Sequence, residues 1–322
     1  MAPRDNARPS GLAGLSLPQR IQSPAEFENS VLGVRRTLAG IDSEEDGARF
    51  IHKMYYLLGF MVGDAGKNLS ATHPRARLQL DLSRKYKENL ALGNYVMVCV
   101  SQLGVPCGRI ADRPPGKRDR HGLYRWSSYF SEALLWLYTA CLGLRRVERT
   151  SYNPVRMKWL LTASTECRAW FLRGIADSDG TVSLRDKTVV ITSEPNTIFF
   201  KDLLGSLGIH ARTHESRGFG YVTISATDAF ELEIFNPEVD THRGLLLRRL
   251  TSARTFQRRW PSWLEARVSS LTRDGLDAGA IRDRLLHEDG TYVKLRTIRT
   301  KQCQQKKPAL GVDPRTPRLR GV

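Results

Sequence analysis

Residues 57–66 (LLGFMVGDAG) and 172–180 (LRGIADSDG) share one design and lie 115 positions apart. Each stretch is an apolar run with helical spacing that ends in an aspartate beside a glycine-containing turn. When the two are aligned, Asp64 falls on Asp179. The chain therefore carries two copies of one helix-and-acid pattern at the spacing of a domain.

Small residues four positions apart mark one face of each predicted helix. They are Gly59 and Gly63 in the first copy, and Gly174 and Ser178 in the second. Residues i and i+4 lie on the same face of a helix, so two such faces can bring their backbones into close contact. We predict that the two helices pack against each other through these four residues.

Asp64 and Asp179 would then lie side by side where the packed helices end. A carboxylate at a helix C-terminus faces the negative end of the helix dipole, and two neighbouring carboxylates raise each other's pKa. A divalent cation relieves that repulsion. Because a bound metal can activate water and stabilise a leaving oxygen, the pair predicts a Mg²⁺ (or Mn²⁺) site suited to phosphodiester hydrolysis.

These two stretches resemble the paired LAGLIDADG motifs of a single-chain homing endonuclease. The second copy is the closer match, whereas the first has Ala65 where the family usually has glycine, with Gly66 one place later. The resemblance implies an α+β fold of two αββαββα lobes related by a pseudo-twofold axis, with both sheets forming a saddle over double-stranded DNA. It implies a monomeric, metal-dependent, site-specific DNA endonuclease that acts in intron homing.

The charge of the chain independently predicts a polyanionic partner. The 322 residues carry 50 Lys and Arg against 33 Asp and Glu, a formal net charge of +17. The excess is concentrated from Arg243 onward, where 19 basic residues face 7 acidic ones. No apolar run reaches the ~18 residues of a membrane-spanning helix, and no basic amphipathic helix has a bulky apolar face. We therefore expect a nucleic-acid partner and no membrane.

The cysteines indicate an intracellular protein. There are five, an odd number, and no two form a CxxC pair, which favours reduced thiols over disulfides or a zinc site. We expect a DNA-associated location in the cytoplasm or nucleoid. The basic N-terminal residues 1–20 are interpreted as a tail, with an organelle transit peptide left open.

The predicted elements repeat in the order helix, two strands, helix, two strands, helix. This order predicts five regions: a tail with a short helix at 1–47, a first lobe at 48–150, a second lobe at 151–255, a helical domain at 262–305, and a disordered basic tail at 306–322. In the first lobe we predict strands at 75–82, 107–113 and 123–129 and helices at 85–103 and 131–144. In the second we predict strands at 181–184, 188–192, 210–217 and 219–225 and helices at 196–207 and 227–235.

Polar faces of the predicted strands are rich in arginine and glutamine, which suit guanine and adenine edges in the major groove. Each face alone would suit a plain solvated sheet, but four of them in a duplicated fold predict DNA contacts. The predicted DNA-facing residues are Arg75, Arg77, Gln79, Arg109, Arg113, Arg185, Lys187, Arg212 and His214.

A basic residue near the metals in each lobe is implied by the resemblance, where it positions the hydrolytic water. In the first lobe the matching stretch is 153–160 (NPVRMKWL), with Arg156 or Lys158 in that role. In the second it is 241–249 (THRGLLLRR), with Arg243 best placed. The usual residue is lysine, so Arg243 departs from the family pattern. Asp177 is interpreted as a cap or supporting group and not as a metal ligand.

Residues 262–305 resemble a resolvase-type helix-turn-helix, a small all-α domain whose last helix enters the major groove. The resemblance places Arg296, Arg299 and Lys301 toward DNA, and Leu295 and Ile298 toward a small core. A basic helical tail without specific docking is the plainer interpretation of the same residues.

Two other functions stay open at this point. One is a non-catalytic transcription regulator that joins a degenerate LAGLIDADG domain to a helix-turn-helix, although both acids at the eighth motif position favour an enzyme. The other is a maturase that binds intron RNA with the same fold. A phosphatase of the DxDGT type is disfavoured, because the residues before Asp177 have helical spacing. His210 and His214, about 13 Å apart on a strand, are too distant to share one metal.

Overall fold

The structure, a computed structural model, describes residues 12, 15–40, 47–117, 119–150, 152–216, 219–256 and 260–306. The chain divides between Arg248 and Arg249 into two compact units. Most of the two predicted tails, at 1–11, 13–14 and 307–322, lies outside the described residues. Within the described ranges, no helix is long and apolar enough to cross a membrane.

Two helices open the first unit, α1 (Pro24–Ala39) and α2 (Gly47–Val62). The hydroxyl of Ser23 caps α1 by accepting from the backbone N–H of Glu26 at 3.2 Å, which satisfies one of the free donors of the first turn. Gly40 ends the helix at a φ of 66°, a left-handed conformation that favours glycine. α2 carries the first motif, and its side chains are buried from Phe50 to Val62 except at His52.

The first four-stranded sheet follows α2. Its elements are β1 (Gly66–Leu69), β2 (Ala76–Ser83), α3 (Asn89–Ser101), β3 (Cys107–Arg113), β4 (Leu123–Ser128) and α4 (Glu132–Trp136), which continues as a π-helical turn at Leu137–Cys141. The strands are antiparallel in the order β1-β2-β4-β3. Leu78 and Leu80 of β2 are buried while Gln79 and Asp81 between them are half-buried, so one face meets the helices and the other is polar.

A second sheet repeats this arrangement. A 3₁₀ turn at Lys158–Thr162 leads into α5 (Thr165–Asp179), β5 (Gly180–Ser183), β6 (Thr188–Thr192), α6 (Thr197–Gly205), β7 (Arg212–Ser216), β8 (Phe219–Ser225), α7 (Ala226–Glu231) and α8 (His242–Ser252). The strand order is β5-β6-β8-β7, the same order as in the first sheet. The predicted α+β fold with antiparallel sheets is confirmed.

Helices α2 and α5 pack backbone to backbone through their glycines. A Cβ added to Gly59 would overlap the carbonyl oxygen of Phe171, and one added to Gly174 would overlap the carbonyl oxygen of Tyr56. At Gly63 an added Cβ would overlap the hydroxyl of Ser178. Any larger side chain at these positions would force the helices apart, so these small residues bring the two motif ends together.

Three elements differ from the sequence predictions. β1 was not predicted, because its four residues (GKNL) are too few to show alternation. α7 ends at Glu231, short of the predicted residue 235, since Glu233 adopts a left-handed φ of 50° that a helix cannot continue through. α8 was not predicted either, because its sequence HRGLLLRRLTS combines an apolar run with a glycine and two flanking basic stretches.

The second unit contains β9 (Arg254–Thr255), α9 (Ser262–Arg273), α10 (Ala278–Glu288), β10 (Thr291–Tyr292) and α11 (Leu295–Lys306). Its buried core is built from Leu264, Val268, Leu271, Ala278, Ile281, Leu285, Val293 and Ile298. Asp277 caps α10 by accepting from the backbone N–H of Ala280 at 2.8 Å. The unit is not purely helical as predicted, because β9 and β10 pair in parallel.

Candidate functional site

The two motif aspartates meet where α2 and α5 end. Asp64 lies two residues beyond α2, and Asp179 is the last residue of α5. The packing of α2 on α5 sets their approach, since a Cβ at Gly63 would lie 3.0 Å from Oδ2 of Asp179. One carboxylate from each copy of the motif therefore faces the same small region.

Both acids hold their protons more tightly than free aspartates do. Burial and, to a smaller degree, the charge of Asp64 raise the pKa of Asp179 to about 7 against the opposing effect of Arg243. Burial likewise raises the pKa of Asp64 to about 6, because a carboxyl group shielded from water favours its neutral form. By surface area Asp64 is the more accessible of the two, and it lines two clefts.

Arg243, at the second residue of α8, supplies positive charge to the pair. Its Nη1 donates to the carbonyl oxygens of Ala176, Asp177 and Ser178, at 2.9 Å for Ser178. The guanidinium thus caps the C-terminal end of α5, where the helix dipole favours a cation. Its charge lowers the pKa of both motif acids, which opposes their protonation.

Asp177 supports the site from within the protein. Its side chain is buried, and Oδ2 accepts from the hydroxyl of Tyr56 at 2.9 Å and from the backbone N–H of Asn236 at 3.2 Å. Burial raises its pKa to about 7. Asp177 therefore ties α5 to α2 and to the loop after α7, as expected of a supporting group.

Arg156 and Lys158 do not join the acids. Both guanidinium Nη atoms of Arg156 donate to the carboxylate of Glu148, at 3.0 and 3.2 Å, and Nη1 also donates to the carbonyl oxygen of Gly143. Lys158 is exposed at the start of the 3₁₀ turn. Neither is among the residues that line the clefts around Asp64, so the first-lobe basic role stays a prediction that this arrangement does not support.

Two clefts of about 390 and 380 Å³ open beside Asp64. The first is lined by Asp64, Ala65, Gly66, Lys67, Asn68, Gln79, Asp81, Tyr138, Arg149, Thr150 and Tyr152. The second contains Asp64, Asp81, Asp177, Tyr86, His242 and Arg243 among its lining residues. Four lining residues were not predicted: Lys67, Arg149, Tyr86 and His242. Arg149, Tyr86 and His242 reach the site from distant parts of the chain, and Lys67, three positions after Asp64, falls outside the motif. For Asp81 the alternation of β2 was an available signal.

His242 stacks on Tyr86 in the second cleft. The ring centroids are 3.6 Å apart and the planes differ by 3°. Burial and the neighbouring charges of Arg243 and Lys85 lower the pKa of His242 to about 4, so the imidazole is neutral at pH 7. The stack joins α8 to the segment before α3 and helps hold Arg243 in place.

The donor chemistry of the pair fits magnesium. Mg²⁺ favours oxygen ligands and is usually held by one or two carboxylates, with waters and substrate phosphates completing its shell. The accessible carboxylate of Asp64 and the half-buried carboxylate of Asp179 are donors of that kind. Among the described residues, no cluster of three or more His, Cys, Asp or Glu is arranged to hold a metal.

The polar face of the first sheet carries part of the predicted arginine set. Arg77, Gln79 and Arg113 share this face with a cross-strand pair, in which Arg125 Nε donates to Oδ1 of Asp81 at 3.2 Å. Arg75 lies just before β2, mostly buried, with Nε 3.6 Å from the carboxylate of Glu132. Arg75 therefore contributes less free charge than predicted.

Arg109 lies on the opposite face, contrary to prediction. It pairs in register with Trp126, and directly opposed residues point to the same side of a sheet. Trp126 is buried against Gly93 of α3. Arg109 Nη2 donates to Oδ2 of Asp112 at 2.7 Å, which holds it on the helix side.

The second sheet presents a cleft of about 690 Å³ on its polar face. Arg212 and His214 of β7 line it together with Lys187, which lies in the β5–β6 turn. The His214 ring stacks on Tyr221 at 5.1 Å. Arg185, with 83% of its side chain exposed, lies in the same turn.

In the second unit, α11 carries the remaining predicted DNA contacts. Arg296 and Arg299 are exposed, while Ile298 is fully buried in the core. Lys301 instead pairs with Glu265 of α9, with Nζ 2.8 Å from the carboxylate. The exposed basic face of α11 is therefore formed by Arg296 and Arg299 without Lys301.

Solved structures of LAGLIDADG proteins are similar to this chain at low identity. One is I-DmoI in complex with DNA and Mn, with 16% identity over 56% of this chain and 94% of the other and a TM-score of 0.40. Another is I-WcaI bound to its DNA recognition sequence, with 13% identity over 66% of this chain and 96% of the other and a TM-score of 0.44. A third is the N-terminal LAGLIDADG domain of WhiA, with 16% identity over 71% of this chain and 98% of the other and a TM-score of 0.37.

The match to a sequence family lies in the second half of the first unit and the start of the second. No curated protein matches the chain. Residues 166–259 match the model of the LAGLIDADG-like domain, a stretch that begins in α5 and includes Asp179 and Arg243. Residues 166–259 therefore form a LAGLIDADG-like domain, which confirms the resemblance of the second motif, at 172–180.

Proposed function

We propose that this chain is a site-specific endonuclease that hydrolyses phosphodiester bonds of double-stranded DNA with divalent metal held by Asp64 and Asp179. The observation that carries the proposal is the pairing of these acids, one from each motif copy, where two helices pack backbone to backbone. Like charges held together in this way destabilise the fold. A bound cation removes that repulsion, which gives the arrangement a purpose.

The residues around the pair suit phosphodiester hydrolysis. Bound Mg²⁺ would supply a Lewis acid and a water of lowered pKa. Arg243 opposes protonation of both carboxylates and faces the region where negative charge grows during the reaction. Asp177 keeps α5 in register with α2 through Tyr56, so it positions Asp179 without touching substrate.

The DNA would lie on the polar faces of the two sheets. These faces offer Arg77, Gln79 and Arg113 on one sheet and Arg212 and His214 on the other, and Gln79 lines the same cleft as Asp64. Arg296 and Arg299 of α11 provide a second basic surface on the C-terminal unit. Arginine and glutamine side chains suit base edges, and arginine also binds phosphate.

Cleavage of a DNA library tests the proposal. Purified protein is incubated with a randomised duplex library and Mg²⁺, and the cut ends are sequenced, with EDTA in place of Mg²⁺ as the control. We expect a small set of related cut sites that disappears with EDTA. Absence of cleavage with both Mg²⁺ and Mn²⁺, by protein that still binds duplex DNA, would overturn the proposal.

A DNA-binding regulator without cleavage is the second candidate. It is favoured because the positively charged residues predicted to position the hydrolytic water are already engaged within the protein. Arg156 is bound to Glu148, and one nitrogen of Arg243 is bound to three carbonyl groups. The same library separates the two functions, because a regulator would enrich bound sequences without producing cut ends.

A further inference from the structure

Two large apolar side chains are exposed in the segment between the two sheets, of which the structure describes residues 145–150, 152 and 153. Val147 is 80% exposed and Tyr152 is 78% exposed. The same segment contains Arg145, Arg146 and Arg149. A lone exposed apolar residue on a loop is ordinary, so the significance of these residues depends on how the segment is held.

Lys67 fixes the first half of this segment. This residue lies on β1, three positions after Asp64, and its Nζ donates to the carbonyl oxygens of Arg145, Arg146 and Glu148, at 3.0 Å for Arg146. All three ammonium protons are thereby engaged. Lys67 therefore acts as a clamp on the segment and is not free to serve the reaction.

Side chains of the segment itself complete the clamp. Arg146 Nη2 donates to the carbonyl oxygens of Ser70 and His73, at 3.4 and 3.3 Å. The carboxylate of Glu148 accepts from the backbone N–H of Arg145 at 2.8 Å and from Arg156. The contacts of Arg146 tie the segment to the β1–β2 turn, and the contact of Glu148 with Arg156 ties it to the residues that follow the segment.

Hydrogen bonds among Arg149, Tyr152 and Asn153 hold the second half of the segment. The carbonyl oxygen of Arg149 accepts from the backbone N–H groups of Tyr152 and Asn153, at 3.1 and 2.9 Å. The side-chain oxygen of Asn153 in turn accepts from the backbone N–H of Arg149 at 3.0 Å. A loop held by this many hydrogen bonds loses little conformational entropy when a ligand binds to it.

Two side chains of this segment line the Asp64 cleft. Arg149 and Tyr152 line the cleft of about 390 Å³ together with Asp64, Gln79 and Asp81. Within the described part of the chain, the guanidinium of Arg149 has no hydrogen bond or ion pair, and Arg149 is exposed. An exposed guanidinium and a solvent-facing phenol ring thus line the same cleft as Asp64.

We propose that residues 145–150, 152 and 153 form a DNA-positioning segment, in which Arg149 binds a phosphate of the strand that lies against Asp64 and Tyr152 packs on the adjoining sugar or base. This inference rests on the proposed function, since it concerns the same DNA. Arginine and tyrosine are common phosphate and sugar contacts that set the register of a protein on a duplex. Apolar and aromatic side chains beside them pack on sugars or between bases.

The test measures binding in protein that is already unable to cleave. Arg149→Ala and Tyr152→Ala are made in an Asp64→Asn background and titrated with a mixed-sequence duplex over a range of salt concentrations. Arg145→Ala is the matched control, because this substitution removes the same charge from the same segment, at a residue that does not line the cleft. Melting temperatures check that each variant folds.

We expect Arg149→Ala to weaken binding on all sequences alike and to reduce the slope of log K against log salt by about 1, with a smaller change for Arg145→Ala. In the cleaving protein, Tyr152→Ala should lower the cleavage rate by about tenfold, whereas Tyr152→Phe should retain it. Equal effects of Arg149→Ala and Arg145→Ala, or full activity of Tyr152→Ala, would overturn the inference. Because the binding arm needs no cleavage, its outcome is separate from that of the proposed function.

Discussion

At the residue scale, the central feature is a pair of acids whose surroundings differ. Asp179 is enclosed and influenced by the charge of Asp64, whereas Asp64 is open to two clefts. Arg243 moderates both. The raised pKa values mean that ionising the two acids lowers the stability of the fold, and under the proposed function a bound cation would offset this cost.

The stability of the metal-free protein should fall as pH rises from about 4 to about 7. The pKa of Asp179 is raised from 3.8 to about 7 in the folded state. Between these values the folded protein keeps a proton that the unfolded chain has released, so unfolding becomes easier as pH increases. Asp179→Asn should therefore raise the unfolding free energy by roughly 2–4 kcal/mol at pH 8 and by almost nothing at pH 4.

Thermal denaturation in EDTA at several pH values checks this prediction. Asp186→Asn is a suitable control, because Asp186 is an exposed acid in the β5–β6 turn. A wild-type melting temperature that rises between pH 4 and pH 7, with no gain from Asp179→Asn, would contradict the assignment of a strained acid pair.

Cleavage should increase with pH through the same range. Metal binding needs both carboxylates ionised, and the pKa values of Asp64 and Asp179 are about 6 and about 7. At subsaturating Mg²⁺ the rate should rise steeply from pH 5.5 to about 7.5 and then level off. High Mg²⁺ should shift the rise to lower pH, since the cation competes with protons. A flat profile over this range at low Mg²⁺ would argue against these two ligands.

The sequence identifies these acids but not their companions. Asp64 and Asp179 are visible because both motif copies place an acid after a helix with small residues. Arg109 was placed on the wrong face because 107–113 (CGRIADR) lacks a clear apolar alternation, and only its pairing with Trp126 shows which side is buried. Arg149 and His242 approach from distant segments, and no local pattern marks them.

At the scale of elements, the packing of α2 on α5 determines whether the site exists. Gly59 and Gly174 contact the opposing backbones directly, and backbone atoms cannot move aside as side chains do. The small-residue spacing allowed this contact to be predicted. By contrast α8, which carries Arg243, had no such signal because its sequence mixes apolar and basic residues without a clear period.

Gly59→Ala should destabilise the protein by on the order of 3 kcal/mol or more. The added methyl group would overlap the carbonyl oxygen of Phe171, which forces the helices apart and separates the acids. Gly205→Ala in α6 is the matched control, because nothing lies within 4 Å of a Cβ there and alanine favours a helix. Urea denaturation compares the two. Equal stabilities for both variants would show that α2 and α5 do not pack this closely.

At the scale of the whole molecule, the chain combines a duplicated sheet arrangement with a separate helical unit. Both sheets have the same strand order, which the repeated element order in the sequence predicted. The C-terminal unit was predicted as three helices, and its core includes Ile298 as expected. The pairing of Lys301 with Glu265 was not predicted, because it depends on the packing of α11 against α9.

The C-terminal unit should contribute to DNA affinity through Arg299 more than through Lys301. Arg299→Ala removes an exposed charge from α11, whereas Lys301→Ala removes a charge already paired with Glu265. We expect Arg299→Ala to lower affinity for duplex DNA and to reduce the salt slope by about 1, with a smaller effect for Lys301→Ala. Fluorescence anisotropy over a salt series measures both. Identical behaviour of the two variants would remove α11 from the DNA-binding surface.

The most direct test of the central claim, that one acid from each motif forms a single metal-dependent site, is a cleavage assay on a cut site from the library with Asp64→Asn and Asp179→Asn. Both variants keep the side-chain shape. We expect each to bind the site with wild-type affinity in Ca²⁺ and to cleave it at least about 100-fold more slowly in Mg²⁺. Wild-type cleavage by either variant would contradict the claim.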